Sequence, residues 1–157
     1  MNGDTQRDPI SQSITAYLRV RGAAEAIAFY EKAFGAQEEL GRVVGPDGKV
    51  MHTVLTIGSS ELMLCDEFPE WDSPSPQTLG GTTVSIALAV PDVDTVIERA
   101  GSYGATLKFP VADQFYGMRS GRIVDPFGHV WVISTKVEDV APEEMQRRAD
   151  EWAEKSA

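Results

Sequence analysis

The chain has 157 residues, of which 42% are hydrophobic and 24% charged, a balance typical of one compact globular domain with a buried core. Its 24 acidic residues against 14 basic ones give a formal net charge of −10, which disfavours binding to nucleic acid or to an anionic membrane surface. The single cysteine excludes an intramolecular disulfide, and without a membrane-length apolar run or an apolar start we expect a cytoplasmic protein with no signal peptide.

An internal repeat organises the chain. The segment YLRVRGAAEAIAFYEKAFGAQ starts at Tyr17, and ALAVPDVDTVIERAGSYGATL starts at Ala87. Leu18 of the first copy aligns with Leu88 of the second, an offset of 70 residues (88 − 18). Apolar and polar residues alternate at the start of each copy, which predicts a strand, and a helical spacing of apolar residues follows. Each copy therefore predicts a strand followed by a helix.

The helix boundaries are marked by capping residues. The first helix is predicted over residues 23–34, because Gly35 is well placed to end it. Asp92 is a good N-cap for the second helix. Three short strands are predicted after each helix, at residues 37–44, 49–57 and 61–65 in the first copy and at residues 105–109, 119–125 and 129–135 in the second. The chain is therefore predicted to contain two βαβββ modules.

The segments outside the modules are a polar start, a linker and a C-terminal helix. The linker is rich in Pro, Ser and Gly, and Pro142 precedes an amphipathic pattern that ends the chain. The predicted organisation is one structural domain with a polar tail at 1–12, a first module at 13–70, a linker at 71–82, a second module at 83–136 and a C-terminal helix at 137–157.

The two predicted βαβββ modules occur together with EAIAFYEKAFGA in the first helix and GRIVDPFGHVW near the end. In this combination the sequence resembles the vicinal oxygen chelate superfamily, which includes glyoxalase I, extradiol dioxygenases, fosfomycin-resistance enzymes and bleomycin-binding proteins. KVMHTVLTIGSSELMLCDEF and PVADQFYGMRSGRIVDPFGHVW are similar to the PhnB-like branch. The resemblance implies an α+β fold in which curled mixed sheets form a cleft, and it implies a homodimer.

The metal ligands of that superfamily do not carry over to this sequence. The resemblance places the four ligand positions at Thr15, Ser85, Val132 and Met63, with Glu61 or Cys65 as register alternatives to Met63. Hydroxyl, thioether and hydrocarbon groups are not the ligands that zinc or harder divalent cations require. We therefore expect no metal and no other cofactor. A displaced metal site would have to use side chains from the set His52, Glu61, Asp66 and Glu67.

We expect different roles for the two histidines. His129 follows the predicted DPFG turn and is expected to bond to the backbone or to water there. His52 lies on a predicted strand of the cleft and is the candidate catalytic base, with a hydrogen-bonded histidine inside the sheet as the alternative.

The glycine-punctuated loop VADQFYGMRSGR offers further polar groups. Arg119 is predicted to bind a carboxylate or phosphate of the ligand, or else to form an ordinary salt bridge. A cleft of this composition predicts binding of a small organic ligand. The predicted ligand-binding residues are Thr15, Tyr17, His52, Met63, Cys65, Ser85, Gln114, Tyr116, Arg119 and Val132.

Two enzymatic alternatives to a pure binding protein stay open. One is a metal-dependent lyase of the glyoxalase I type, or a dioxygenase of the extradiol type, with a displaced metal. The other is a metal-free lyase or isomerase that uses His52 with Tyr116 or Arg119.

Overall fold

The computed structural model describes residues 12–157, so residues 1–11 of the predicted polar tail lie outside the described residues. The first module consists of β1 (Ala16–Val20), α1 (Ala23–Phe34), β2 (Gln37–Glu38), β3 (Val43–Val44), β4 (Val50–Ile57) and β5 (Ser60–Asp66). A 3-10 turn (Pro69–Trp71) and α2 (Pro76–Leu79) follow. The second module consists of β6 (Ser85–Ala89), α3 (Val93–Ser102), β7 (Thr106–Asp113), β8 (Met118–Val124) and β9 (Val130–Lys136), and α4 (Pro142–Ser156) ends the chain.

Each module builds one mixed sheet with the same topology. The first sheet has the strand order β1-β5-β4-β2, with β3 also pairing with β4, and the second has the order β6-β9-β8-β7. In both sheets the first strand pairs in parallel with the last strand of its module, and the other pairs are antiparallel. The two described sheets share no strand pairing and do not close into a barrel. The structure confirms the α+β fold with tandem βαβββ modules and a C-terminal helix.

The helices cover one face of each sheet and join the two modules. A single hydrophobic cluster contains buried residues of both modules. At its centre Trp131 of β9 is 1% exposed and packs against Tyr30 and Phe34 of α1, with ring centroids 5.5 and 4.7 Å away. The core therefore lies on the helix side of both sheets.

The other face of each sheet lies opposite α1 and α3, and we call these two surfaces the open faces. The strand registers assign their members by alternation. The first open face carries Thr15, Tyr17, Arg19, His52, Val54, Thr56, Glu61, Met63 and Cys65. The second open face carries Ser85, Ala87, Ala89, Ser120, Arg122, Val124, Val130, Val132 and Ser134.

The predicted helix ends are confirmed. Gly35 follows α1 with φ 69° and donates its backbone N–H to the carbonyl of Glu31 at 3.0 Å. The Asp92 carboxylate accepts from the Thr95 N–H at 3.2 Å at the start of α3. None of the helices within residues 12–157 has both the length and the apolar character of a membrane span.

Two predicted strands have different bounds in the structure. The strand predicted over residues 37–44 is divided into β2 and β3, because Gly41 takes φ 73° and turns the chain between them. The strand predicted over residues 105–109 continues as β7 to Asp113, with register irregularities on both sides of Phe109. β7 is an edge strand, and its outer side has no partner strand. A proline such as Pro110, which has no backbone N–H to donate, is therefore tolerated in this strand.

Helix α4 packs against the turn between β7 and β8. The Trp152 and Phe115 rings lie 6.0 Å apart, and Arg148 Nη1 donates to the Phe115 carbonyl at 3.2 Å. Arg148 also pairs with Glu138 at 2.8 Å. The amphipathic stripe of this helix thus contacts its own chain.

Candidate functional site

Tyr17 and His52 form a polar pair on the first open face. Tyr17 lies on β1 and His52 on β4, the two strands on either side of β5. The Tyr17 hydroxyl and His52 Nδ1 are 2.9 Å apart and share one hydrogen bond, whose direction follows the tautomer of His52. The two rings meet edge to face with centroids 5.5 Å apart. The sheet register thus brings together two of the predicted site residues.

Arg19 fixes the other side of the Tyr17 ring. Its guanidinium lies over that ring, 4.3 Å from the centroid, which is the geometry of a cation–π contact. Arg19 Nε donates to Ser73 Oγ at 2.9 Å, and this bond ties the linker to β1. Tyr17 remains 38% exposed. Its ring is therefore held in place while part of its surface stays accessible to a ligand.

Cys65 lies beneath this pair and is 4% exposed. Burial raises the pKa of the Cys65 thiol, and burial followed by the proximity of Cys65 raises the pKa of the Tyr17 hydroxyl. Both groups therefore keep their protons at neutral pH. A protonated, covered thiol is a poor nucleophile, so the chemistry available on this face is hydrogen bonding and proton transfer at the Tyr17–His52 pair.

The four positions at which the resemblance places metal ligands lie on the two open faces. Alternation puts Thr15 and Met63 on the first open face and Ser85 and Val132 on the second. Glu61 and Cys65 share the face of Met63, as a two-residue spacing requires. None of the four positions carries a group that a divalent cation prefers. Within residues 12–157, His, Cys, Asp and Glu side chains form no group of three or more that could hold a metal ion.

The candidates for a displaced metal site have structural partners. Asp66 Oδ1 accepts from the backbone N–H groups of Gly22 and Ala23 at 3.1 and 2.9 Å, and Oδ2 accepts from that of Val50 at 2.8 Å. Asp66 thereby satisfies backbone groups at the start of α1. These bonds occupy both of its oxygens.

Glu67 is occupied in the same way. Its carboxylate accepts from Arg21 Nε and the Ser75 N–H, each at 2.8 Å, and from the Thr78 hydroxyl at 2.7 Å. Two of the four residues of the displaced set, Asp66 and Glu67, are therefore engaged in bonds within the chain.

The loop residues selected from the sequence lie away from the Tyr17–His52 pair. Gln114 Nε2 donates to the Ala112 carbonyl at 3.3 Å within the β7–β8 turn. Tyr116 is 38% exposed on the same turn, and its ring meets Phe115 edge to face. The structure does not bring either side chain to the first open face.

Arg119, predicted either to bind the ligand or to form a salt bridge, forms a salt bridge in the structure. Arg119 lies on the helix side of β8, where it donates to Asp94 at 2.8 and 3.0 Å and to Asp113 at 3.1 Å. These contacts are the salt bridge that the sequence left open as the alternative. Side chains alternate between the two faces of β8, so Arg119 lies on the same core side of the strand as Gly121 and Ile123.

Arg122 is an arginine that the sequence patterns did not single out. It lies on β8 opposite Val132 of β9 and Phe109 of β7, on the second open face. Its guanidinium is 4.9 Å from the centroid of the Phe109 ring. The alternation of Ser120, Arg122 and Val124 was the signal that could have identified it.

His129 has the structural role predicted for it. It is 9% exposed, and its backbone N–H donates to Asp125 Oδ1 at 3.0 Å across the DPFG turn. Its Nε2 lies 2.8 Å from the Arg19 carbonyl oxygen, which only accepts, so Nε2 carries the proton. His129 thus bonds to the backbone and links the second module to β1.

Two cavities border these surfaces. One of about 590 Å³ lies between the modules on their helix side, and neither Tyr17 nor His52 lines it. The other, of about 550 Å³, lies between β1 and the linker and is lined by Tyr17, Arg19, Pro76, Leu79 and His129, among others. Only this second cavity contains a member of the Tyr17–His52 pair, so we regard it as the ligand pocket candidate. Its volume is within the range of small-molecule sites, roughly 300–1,000 Å³.

Comparison with known protein families identifies a match over most of the chain. The family model described as Glyoxalase/Bleomycin resistance protein/Dioxygenase superfamily matches residues 12–133. This range includes the first module and the second module up to Ile133 in β9.

Relatives and solved structures resemble the chain over most of their length. An uncharacterized protein of Mycobacterium tuberculosis is 44% identical over 147 residues, which cover 92% of this chain and 86% of that protein. The crystal structure of an Arabidopsis thaliana gene product is 25% identical with a TM-score of 0.64, and the match covers 80% of this chain and 99% of that one. The PhnB protein from Bacillus cereus is 22% identical with a TM-score of 0.59, covering 79% and 99%, and this likeness shows the shared fold.

Proposed function

Because the chain belongs to the glyoxalase/bleomycin resistance protein/dioxygenase superfamily, we propose that it binds a small organic ligand on its open faces without a metal ion. The observation that supports this most is the chemistry of the four family ligand positions. They carry a threonine, a methionine, a serine and a valine, all on the open faces. Such groups contact organic surface and donate or accept single hydrogen bonds.

The Tyr17–His52 pair supplies the polar recognition in this proposal. Tyr17 of this pair borders the cavity of about 550 Å³, whose wall includes Pro74 and Pro76 of the linker. An aromatic edge, a phenol and an imidazole beside apolar side chains form a site that fixes the orientation of an organic molecule.

We propose further that the protein is a homodimer in which a second copy covers the open faces. In one chain these surfaces leave large side chains exposed, since Tyr17 is 38% and Phe109 52% exposed. If the first open face of one copy lies against the second open face of another, each site becomes enclosed. Light scattering should give twice the chain mass of 17.1 kDa, and a monomer at micromolar concentration contradicts this arrangement.

A thermal-shift screen tests the binding proposal. The protein is treated with chelator, dialysed, and heated with a panel of small aromatic and aliphatic compounds. A ligand that binds only the folded state raises Tm, and the rise grows with the logarithm of the ligand concentration above Kd. At least one compound class should raise Tm by more than about 2 °C at a concentration well above its Kd, with the chelator still present.

Two variants locate the binding site. His52→Ala should remove most of the ligand-induced shift, whereas Tyr103→Phe, at an exposed tyrosine of the second module, should retain it. A shift that appears only after Zn²⁺, Mn²⁺, Fe²⁺ or Ni²⁺ is added would show a metal-dependent site and contradict the proposal.

A metal-free lyase or isomerase is a second candidate, favoured by the geometry of His52. Its Nδ1 contacts the Tyr17 hydroxyl, while its Nε2 has no hydrogen-bond partner among the described residues. In the tautomer whose Nδ1–H donates to the Tyr17 oxygen, Nε2 is a free base that accepts a proton from a bound carbon acid. For such an enzyme, His52→Ala abolishes turnover of a bound compound although the compound still binds. Unchanged turnover in that variant excludes it.

A further inference from the structure

Arg122 occupies the centre of the second open face. It lies on β8, an inner strand of the sheet, between Val132 on β9 and Phe109 on β7. The side chain is half-buried rather than extended into solvent. A guanidinium held at the middle of a sheet face is partly desolvated, so its five N–H donors need partners.

Those partners are missing within the described part of the chain. Each of the other arginines between residues 12 and 157 donates at least one side-chain hydrogen bond, and they are Arg19, Arg21, Arg42, Arg99, Arg119, Arg147 and Arg148. Arg122 donates none to a described residue, although acidic residues outnumber basic ones by 24 to 14 in the chain. An arginine that has no hydrogen-bond partner among residues 12–157 of so acidic a protein is available to bind another molecule.

The surroundings of Arg122 favour an anion with an apolar body. The guanidinium lies over the Phe109 ring at 4.9 Å from its centroid, and this contact holds it in place while its edge stays available. The neighbouring side chains of the second open face are Ser, Ala and Val, with no carboxylate among them. Phe109 is 52% exposed and offers an apolar surface beside the charge.

We infer that the ligand is an organic anion whose carboxylate, or a similar oxyanion, is bound by Arg122 while its apolar part lies on Phe109 and Val132. The inference rests on the proposed function and names the ligand class for the second open face. A guanidinium binds a carboxylate through two parallel N–H···O bonds, and the absence of competing acids on this face keeps both donors free.

A matched pair of probes tests the inference, because 2-naphthoate and 2-naphthamide share their rings and differ in charge. Their binding to the full chain is measured by isothermal titration calorimetry at about 50 mM salt, where screening is modest. The naphthoate should bind at least about tenfold more tightly than the amide. Arg122→Gln should bring the naphthoate affinity down to that of the amide and leave the amide affinity unchanged.

Arg119→Gln is the matched control, because Arg119 lies on the same strand with its guanidinium on the other face, paired with Asp94 and Asp113. This variant should bind both probes like the parent protein. Light scattering on each variant shows whether its oligomeric state has changed, and circular dichroism shows whether it is folded.

Three outcomes overturn the inference, and they are distinguishable from failure of the proposed function. Equal affinities of the two probes, unaffected by Arg122→Gln, would show a ligand site that does not use the charge. Conversion of a dimer to a monomer in Arg122→Gln, with unchanged naphthoate affinity, would show that Arg122 pairs with a second copy. If neutral compounds of the thermal-shift panel bind and naphthoate does not, the ligand is not an anion, but the proposed binding function stands. If no compound of the panel binds, both the anionic ligand and the proposed function are rejected.

Discussion

The Tyr30 hydroxyl of the first module donates a hydrogen bond of 2.6 Å to Asp125 Oδ2 of the second module. Trp131 Nε1 donates to the same oxygen at 2.9 Å, and the backbone N–H groups of Phe127 and His129 donate to Oδ1 at 2.9 and 3.0 Å. Asp125 is 4% exposed and forms no salt bridge with a described residue. A buried carboxylate is thus satisfied by four neutral donors and connects α1 to the DPFG turn.

Removal of the Tyr30 hydroxyl should destabilise the protein. Tyr30→Phe deletes one charge-assisted hydrogen bond and leaves Asp125 Oδ2 with a single donor in a buried site, so we expect a loss of about 1.5–3 kcal/mol in the free energy of unfolding. Urea denaturation followed by circular dichroism measures the loss. Tyr103→Phe, at a tyrosine that is 47% exposed, should change stability by less than about 0.5 kcal/mol. Equal effects of the two substitutions would contradict this account of the buried network.

Glu67 should contribute an acid-sensitive part of the stability. Partial burial by itself would raise the pKa of the Glu67 carboxyl, but hydrogen bonds from Arg21, Thr78 and Ser75 outweigh burial and lower the pKa to about 2. A lowered pKa in the folded state means that the contribution is fully present above the ordinary value of 4.5 and is lost as the pH falls towards 2.

The measurement for Glu67 compares unfolding free energies of the parent protein and Glu67→Gln between about pH 2 and pH 6. The parent should be the more stable at pH 6, and the difference should shrink as the pH falls below about 4.5. Glu70→Gln, at an exposed residue of the same linker region, should show a much smaller and flatter difference. A Glu67→Gln difference that is constant over this range would contradict the lowered pKa.

Cys65 should react slowly with alkylating reagents in the folded protein. Its side chain is 4% exposed and burial raises the pKa of its thiol, so little thiolate is present or accessible at pH 8. Mass spectrometry should show iodoacetamide modification at least about tenfold slower in buffer than in concentrated urea at the same pH. Equal rates in the two solutions would show an accessible thiolate and would make Cys65 a candidate nucleophile.

Local sequence patterns were sufficient for the fold because they report on neighbours along the chain. The apolar spacing and Gly35 located the end of α1, and Asp92 located the start of α3. The division of the strand predicted over residues 37–44 was not visible in the same way. The division depends on the positive φ of Gly41 and on the hydrogen bond of 2.8 Å from Arg42 to Glu38. Both features form only in the folded sheet.

The candidate site could be predicted only in part, because it depends on contacts between distant strands. Alternation correctly separates the faces of one strand, but the contact of Tyr17 with His52 needs β1 and β4 to pair with β5 in one particular register. The sequence patterns favoured Arg119 and did not single out Arg122, although both lie in the segment VADQFYGMRSGR. The structure distinguishes them, because the core lies on the Arg119 side of β8, where Asp94 and Asp113 are within reach.

Gly121 and Gly101 should respond to alanine substitution with opposite signs. A Cβ on Gly121 would lie 2.6 Å from Ile97 Cδ1 and 3.0 Å from Val111 Cγ2, so Gly121→Ala overpacks the contact of α3 with β8 and should cost about 1–3 kcal/mol. Gly101 lies in the last turns of α3 without a positive φ, and an alanine Cβ there would meet none of the described atoms within 4 Å. Gly101→Ala should therefore stabilise the protein by about 0.4–1 kcal/mol. Thermal and urea unfolding of both variants measures the signs. Destabilisation by Gly101→Ala, or an unchanged stability in Gly121→Ala, would contradict the packing of α3 against the second sheet. That packing covers one face of β8 and leaves the other face, which carries Arg122, open.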